Sequence, residues 1–225
     1  MKRPIFYGVS VGPGDPELMT IKAVKALEAC NIIIAPRTHK GNTLALDIAK
    51  SIVDFSNKTI VFADFKMSKN DDENNKSHKV IANIIRGYLI AGDNVAMLSI
   101  GDISLYSTFS YILNMLKDEF ECQIIAGVTS FSACAGTAKR SLTNMKEPLM
   151  IIPASFTDID SVIKLNGTKV IMKSGKKLEE VITKLNSNNI DYVVVQDCGL
   201  ESENIVYKNS GKLIDSYFTT ILVRN

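Results

Sequence analysis

Short β-branched runs recur along the chain, at residues 5–11, 31–35, 58–63, 94–100 and 122–127, then at 149–153, 168–173, 191–196 and 217–223. Several are apolar on successive positions rather than on alternate ones, the pattern of strands covered on both faces of a sheet. Between them apolar residues recur at helical spacing. Val80, Ile81, Ile84, Ile85, Tyr88 and Leu89 form one such stripe, and Gly92 supplies a stop. Phe109, Ile112, Leu113 and Leu116 form a second, and Leu178, Val181, Ile182 and Leu185 a third. The polar run at 66–79 is predicted to be a solvated loop that enters the helix behind it. Strands alternating with helices make the chain α/β. Its last third holds closely spaced strands with little room for helices, and such strands pair antiparallel. Two domains are therefore expected, 1–127 with a more parallel sheet and 128–225 with a mixed one.

Composition narrows the function classes. Of 225 residues, 46% are hydrophobic and 22% charged, which suits a globular chain, and the formal net charge of +2 does not suit a nucleic-acid binder. No apolar run approaches the roughly 20 residues that span a bilayer. The start carries no long apolar stretch of a secretion signal. Cys30, Cys122, Cys134 and Cys198 are scattered and only two histidines are present, so no metal site is expected and a reduced, cytoplasmic setting is.

The chemistry concentrates in three stretches. The first, VGPGDPELMT at 11–20, lacks the spacing of a phosphate loop, and the second strand ends in basic rather than acidic residues, so both nucleotide motifs fail. Asp15 is instead predicted to cap the following helix, with Pro16 in its first turn. Gly12 and Gly14 leave backbone that another molecule can approach. The second stretch, SIGDISLYSTFSY at 99–111, runs from a buried strand through Gly101 and Asp102 to a helix opened by Ser107 and Thr108. In the third, AGVTSFSACAGTA at 126–138, a strand ends at Gly127 and Thr129–Ser130 start a helix of small residues. Each taken alone is equally a tight turn, a capped turn or a packed core helix.

Together, GVSVGPGDPELMTIKA, GDISLYSTFSYI and GVTSFSA resemble the tetrapyrrole methylase family, whose members transfer methyl groups from S-adenosylmethionine (SAM). The likeness covers nearly the whole chain. It is nearest to the branch of the family that methylates carbon 20 of precorrin-2 or its cobalt-containing form. The resemblance implies two α/β domains of non-Rossmann type, with SAM in the cleft between them, and a homodimer. It assigns SAM contacts to Pro13, Gly101, Asp102, Ile103, Tyr106, Ser107, Thr129, Ser130, Met172, Cys198 and Gly199. The glycine–proline turn (Gly12, Gly14, Asp15) would line the mouth of the substrate trough. A polycarboxylate substrate calls for cations, and Arg37, His39 and Arg140 are the expected ones. Methyl transfer from a sulfonium needs orientation more than acid–base machinery. Carbon 20 must still lose a proton, for which Asp102 and Tyr106 are the candidates, Asp102 having SAM anchoring as its rival role. The alternatives are another tetrapyrrole methylase, acting on uroporphyrinogen or at another ring position, and a SAM-binding module without turnover.

Overall fold

The computed structural model describes residues 3–37, 41, 43–66 and 71–224, Phe156 by its backbone alone. The chain divides into two compact units, Met1–Val128 and Thr129–Asn225.

In the first unit the elements run β1 (Ile5–Ser10), α1 (Ile21–Glu28), β2 (Ile32–Arg37), α2 (Leu44–Lys50), β3 (Thr59–Asp64), α3 (Asp71–Ile90), β4 (Val95–Ser99), α4 (Phe109–Leu116) and β5 (Glu121–Ile125). The five strands form one sheet in the order β3-β2-β4-β1-β5, all pairs parallel. Neighbouring residues of a strand point to opposite faces, and both faces are covered. Ile33 and Leu98 join Leu27 of α1 and Leu46 of α2 in one buried cluster. Ile34 and Met97 join Ile85 of α3 and Phe109 and Ile112 of α4 in another. Hence the unbroken apolar runs. Because β4, β1 and β5 lie side by side and parallel, their carboxyl ends emerge at one edge of the sheet, where α/β folds hold ligands.

In the second unit the elements are α5 (Ser130–Thr137), β6 (Leu149–Pro153), α6 (Ile159–Ile163), β7 (Thr168–Met172), α7 (Leu178–Ser187), β8 (Asp191–Gln196), β9 (Asn204–Tyr207) and β10 (Thr219–Arg224). The sheet order is β6-β7-β10-β8-β9. Only β6 and β7 are parallel, and the last strand is inserted between β7 and β8, antiparallel to both. Ile152, Ile171, Val194 and Ile221 pack with Val181 and Leu185 of α7, while Val170, Val193 and Leu222 pack with Phe131 and Cys134 of α5.

Local physics moves two boundaries from where the pattern puts them. α3 begins at Asp71, inside the polar run, because Asp71, Asp72 and Glu73 sit in its first turn, where carboxylates meet the positive end of the helix dipole. Asp15 caps only a 3₁₀ turn, Pro16–Leu18, by accepting the Glu17 N–H at 2.8 Å; Thr20 is the cap of α1, accepting from the Ala23 N–H. The short helices α2 and α6, seven and five residues long, carry too few turns to show a period. The stop at Gly92 is a closed one: its φ is +96°, its N–H bonds the Leu89 carbonyl and the next N–H reaches back to Tyr88.

The same closure ends α5, but with a lysine in the left-handed position. Lys139 has φ +50°, its N–H bonds the Gly136 carbonyl at 3.0 Å and the Arg140 N–H bonds Ala135 at 2.9 Å. A side chain costs about 1–2 kcal/mol in that conformation. Lys139→Gly is therefore expected to stabilise the protein by about 1 kcal/mol after the glycine's greater unfolded-state entropy is deducted. The urea unfolding midpoint measures it.

A buried histidine in the first unit sets a second expectation. His78 on α3 is 4% exposed, stacks on Tyr111 of α4 with ring centroids 4.7 Å apart, and faces Phe65. Its Nδ1 has no hydrogen-bond partner among the described residues. Burial lowers its pKa, since the cation would lose its hydration. The unfolded chain then binds a proton, near the ordinary value of about 6.5, that the folded chain refuses. Stability is full above that pH and drains as pH falls towards the lowered folded value. Denaturant midpoints between pH 7 and 5 should show this decline, and His78→Phe should flatten it.

Candidate active site

Three loops of the first unit meet at the carboxyl ends of β1, β4 and β5. Leaving β1, the Val11 N–H bonds the Ser99 carbonyl at 2.9 Å, which carries the β1–β4 pairing one residue further. Gly12, with φ +76°, then bends away and its carbonyl accepts the Gly101 N–H at 2.7 Å, a bridge between the first two loops. Gly12, Pro13 and Gly14 are buried.

The second loop is pinned from three sides. Ser10, fully buried at the end of β1, accepts the Ile103 N–H on its hydroxyl at 2.9 Å. Ile103 itself is 1% exposed and its side chain belongs to the core beside Phe109. Asp102 Oδ1 accepts from the Ser104 N–H at 2.8 Å and the Ser104 hydroxyl at 2.6 Å. Asp102 Oδ2 accepts the Gly127 N–H at 3.1 Å, which ties in the third loop. Burial pushes the Asp102 carboxyl up, yet the hydrogen bonds from Ser104 and Gly127 outweigh it and leave its pKa below the ordinary value. Ser107 Oγ lies 3.1 Å from Ser99 Oγ and accepts the Phe109 N–H at 3.2 Å, opening α4. Between them Tyr106 is 47% exposed and holds φ +51°, a conformation rare for an aromatic residue and common where structure serves a site.

Gly127 closes the ring. A Cβ placed there would lie 2.4 Å from Ser10 Cβ and 2.7 Å from the Gly101 carbonyl oxygen. Ser10 was not singled out from sequence; its only signal is a hydroxyl in an otherwise apolar strand.

In the second unit, Thr129 caps α5 by accepting the Ser132 N–H, and Ser130 is the first helical residue. Met172 ends β7, and the Cys198–Gly199 turn follows β8. Thr220 of β10 pairs with Met172 on one side and with Val195 on the other, so both strand ends lie at one edge of that sheet. The turn is braced: Gly199 N–H donates to Glu203 Oε2 at 2.9 Å, and Thr137 Oγ1 lies 3.8 Å from Cys198 Sγ. The Cys134 thiol donates towards Cys198, which lowers the Cys198 pKa. None of the four cysteines is in a disulfide.

Two of the three expected cations are already partnered. Arg37 grips Asp64 with two bonds, Nε to Oδ1 at 2.9 Å and Nη2 to Oδ2 at 2.5 Å, and lies over the Phe62 ring. Arg140 Nη2 is 2.8 Å from Asp191 Oδ2. His39 lies outside the described residues. Among the described residues no three His, Cys, Asp or Glu side chains gather as a metal site, and no helix is long and apolar enough to cross a membrane.

Residues 6–214 match the family of Tetrapyrrole (Corrin/Porphyrin) Methylases. The "Probable cobalt-precorrin-2 C(20)-methyltransferase" of Methanocaldococcus jannaschii is 34% identical over 94% of this chain and 89% of its own length. The precorrin-2 C(20)-methyltransferase of Sinorhizobium sp is 28% identical over 96% of this chain and 93% of its own. Among solved structures, a cobalt precorrin-4 methyltransferase superposes with a TM-score of 0.74 at 18% identity, covering 98% of this chain and 94% of that one. The uroporphyrin-III C-methyltransferase of Thermus thermophilus, complexed with S-adenosylhomocysteine, gives a TM-score of 0.71 at 16% identity over 97% of this chain and 91% of that one. With two α/β units, failed nucleotide motifs and a match along nearly its whole length, the chain belongs to the tetrapyrrole (corrin/porphyrin) methylases.

Proposed function

We propose that the protein is a SAM-dependent methyltransferase that methylates carbon 20 of precorrin-2 or cobalt-precorrin-2 in cobalamin biosynthesis. The observation that carries this reading is the 34% identity, spread over 94% of the chain, to a relative bearing that activity in its name. The donor is held on the first unit by the edge formed by Pro13, Gly101–Ile103, Tyr106 and Ser107. In the second unit, Thr129, Ser130, Met172 and the Cys198–Gly199 turn are the candidates for donor contact that the family resemblance names. The sulfonium is already activated and the macrocycle supplies the carbon nucleophile, so the protein's task is alignment; well-oriented reactants gain roughly 7–11 kcal/mol. Asp102 acts as an anchor: both its oxygens are engaged in loop-tying hydrogen bonds, and its lowered pKa makes it a weak base. A homodimer belongs to the same reading. It is supported by the apolar side chains exposed on α3 and α4 (Val80, Ile84 and Tyr111) and is tested by sedimentation. A cytoplasmic setting fits four unpaired cysteines.

The test is an incubation of the purified protein with methyl-labelled SAM and either precorrin-2 or its cobalt complex. One methyl group located at carbon 20 by mass spectrometry and NMR is the expected result. Label on uroporphyrinogen or at another carbon would reassign the ring position, and tight SAM binding without transfer to any tetrapyrrole would make the chain a binding module.

A further inference from the structure

The second unit holds two of the four cysteines, and its fold brings both into one buried cluster between α5 and the sheet. Cys134 lies within α5 and is 1% exposed; Cys198, in the turn after β8, is 6% exposed. Thr137 stands three residues after Cys134, so the two side chains share a face of the helix. Thr137 Oγ1 lies 3.8 Å from Cys198 Sγ, which sets the turn against that face, and the Cys134 thiol donates a hydrogen bond to Cys198. Glu203 Oε2 ties the same corner together, accepting from Thr137 Oγ1 at 3.4 Å and from the Gly199 N–H at 2.9 Å. The backbone is left-handed on both sides of Cys198, with Asp197 at φ +51° and Gly199 at φ +79°. At a non-glycine residue such as Asp197 that conformation costs energy, and it clusters at ligand clamps and switch regions.

We propose that Cys134 and Cys198 form a dithiol switch, which a peroxide closes to a disulfide that reshapes the Cys198–Gly199 turn and a thiol reductant reopens. The two sulfurs have different roles. The bond from Cys134 lowers the Cys198 pKa against the effect of burial, with help from Thr137, while donating that bond and burial both raise the pKa of Cys134. Cys198, also the more accessible of the two, is therefore the attacking thiolate. Its sulfur takes one oxygen as the peroxide O–O bond breaks, giving a sulfenic acid and, after protonation, water. Cys134 then loses its proton, its sulfur attacks the Cys198 sulfur, and the second oxygen leaves as water. Two electrons pass from the thiols to the peroxide; two thiols and one hydrogen peroxide give one disulfide and two waters. The sulfurs close to ~2.05 Å, and one backbone has to follow them. α5 is packed on the sheet through Phe131, Ala135 and Ala138, so the turn is the part that moves. In a reducing compartment such a bond is transient, as a sensor requires.

The disulfide is independent of the function proposed above; its effect on donor binding, through the Cys198–Gly199 turn, rests on that reading. The fully reduced chain is treated with hydrogen peroxide, denatured, alkylated and cut with chymotrypsin, which separates Cys122 from Cys134 at Phe131. Loss of two of the four thiols and a Cys134–Cys198 cross-linked peptide are expected, both reversed by dithiothreitol. In Cys134→Ser the sulfenic acid has no thiol to resolve it, and dimedone should label Cys198. Oxidation should raise the dissociation constant for S-adenosylhomocysteine about threefold or more, the loss of one hydrogen-bonded contact, and reduction should restore it. Survival of all four thiols, a cross-link through Cys30 or Cys122, or sulfinic acid at Cys198 without a cross-link overturns the pair. Absence of the dimedone label overturns the order of attack. An unchanged dissociation constant in the cross-linked protein overturns the link to the donor turn. A reduced protein that fails to bind S-adenosylhomocysteine counts against the proposed function and leaves the disulfide standing.

Discussion

Gly127→Ala is expected to cost the protein about 3 kcal/mol of stability and to weaken SAM binding by more than tenfold. The added methyl would lie 2.4 Å from Ser10 Cβ and 2.7 Å from the Gly101 carbonyl oxygen, and neither neighbour can give way. Ser10 is a fully buried residue of the inner strand β1, flanked by β4 and β5, and its hydroxyl holds the Ile103 N–H. Gly101 is fixed by its bond to the Gly12 carbonyl. Relief therefore comes only by spreading the three loops, which lengthens the bond from Gly127 to Asp102 and displaces the edge proposed to hold the donor. Gly136→Ala is the internal control, because a Cβ there meets nothing within 4 Å. That change lies on α5 and is expected to leave SAM binding unchanged and to raise stability by up to about 1 kcal/mol, the helix preference of alanine over glycine. Calorimetric titration with SAM and urea midpoints measure both variants. Equal behaviour of the two would sink the account of the loop junction.

The contrast between these glycines marks where sequence reading reaches its end. Gly127 was visible as the end of a strand, and Gly92 as a helix stop, because each ends a hydrophobic period. That Gly127 is packed against Ser10 was not visible, since the contact joins residues far apart in the chain and depends on β1 and β5 being neighbours. Nine of the ten described strands coincide with the β-branched runs read above, yet nothing local says that the last one inserts between β7 and β8. Charge partners are hidden in the same way. Arg37 and Arg140 read as cations awaiting an acid, and their carboxylates, Asp64 and Asp191, lie 27 and 51 positions along the chain (64 − 37 and 191 − 140). Loop positions such as Gly101, Asp102 and Ser107 were legible because turn chemistry is local; the buried hydroxyl of Ser10 and the half-buried one of Ser99 that hold those loops were not.

Asp102→Asn should raise the dissociation constant for SAM about 10- to 100-fold while the rate at saturating SAM falls by less than about fivefold, the cost of one or two hydrogen bonds to a charged group at roughly 1.5–3 kcal/mol each. The carboxylate accepts three bonds, two from Ser104 and one from Gly127. An amide offers one oxygen. If that oxygen stays with Ser104, the NH₂ confronts the Gly127 N–H, donor against donor; if it turns to Gly127, both Ser104 donors lose their acceptor. Either way a loop is released, which is the signature of an anchor. A base would fail differently, with SAM affinity intact and turnover lost. The pH dependence separates the two as well. Because the folded pKa of Asp102 is lowered, its contribution is complete above the unfolded value, near 3.9, and disappears only as pH falls through the folded one. SAM affinity of the parent should therefore show no inflection from Asp102 between pH 5 and 8. A base working at neutral pH would instead print its own pKa on the turnover profile in that range, and Asp102→Asn would erase it.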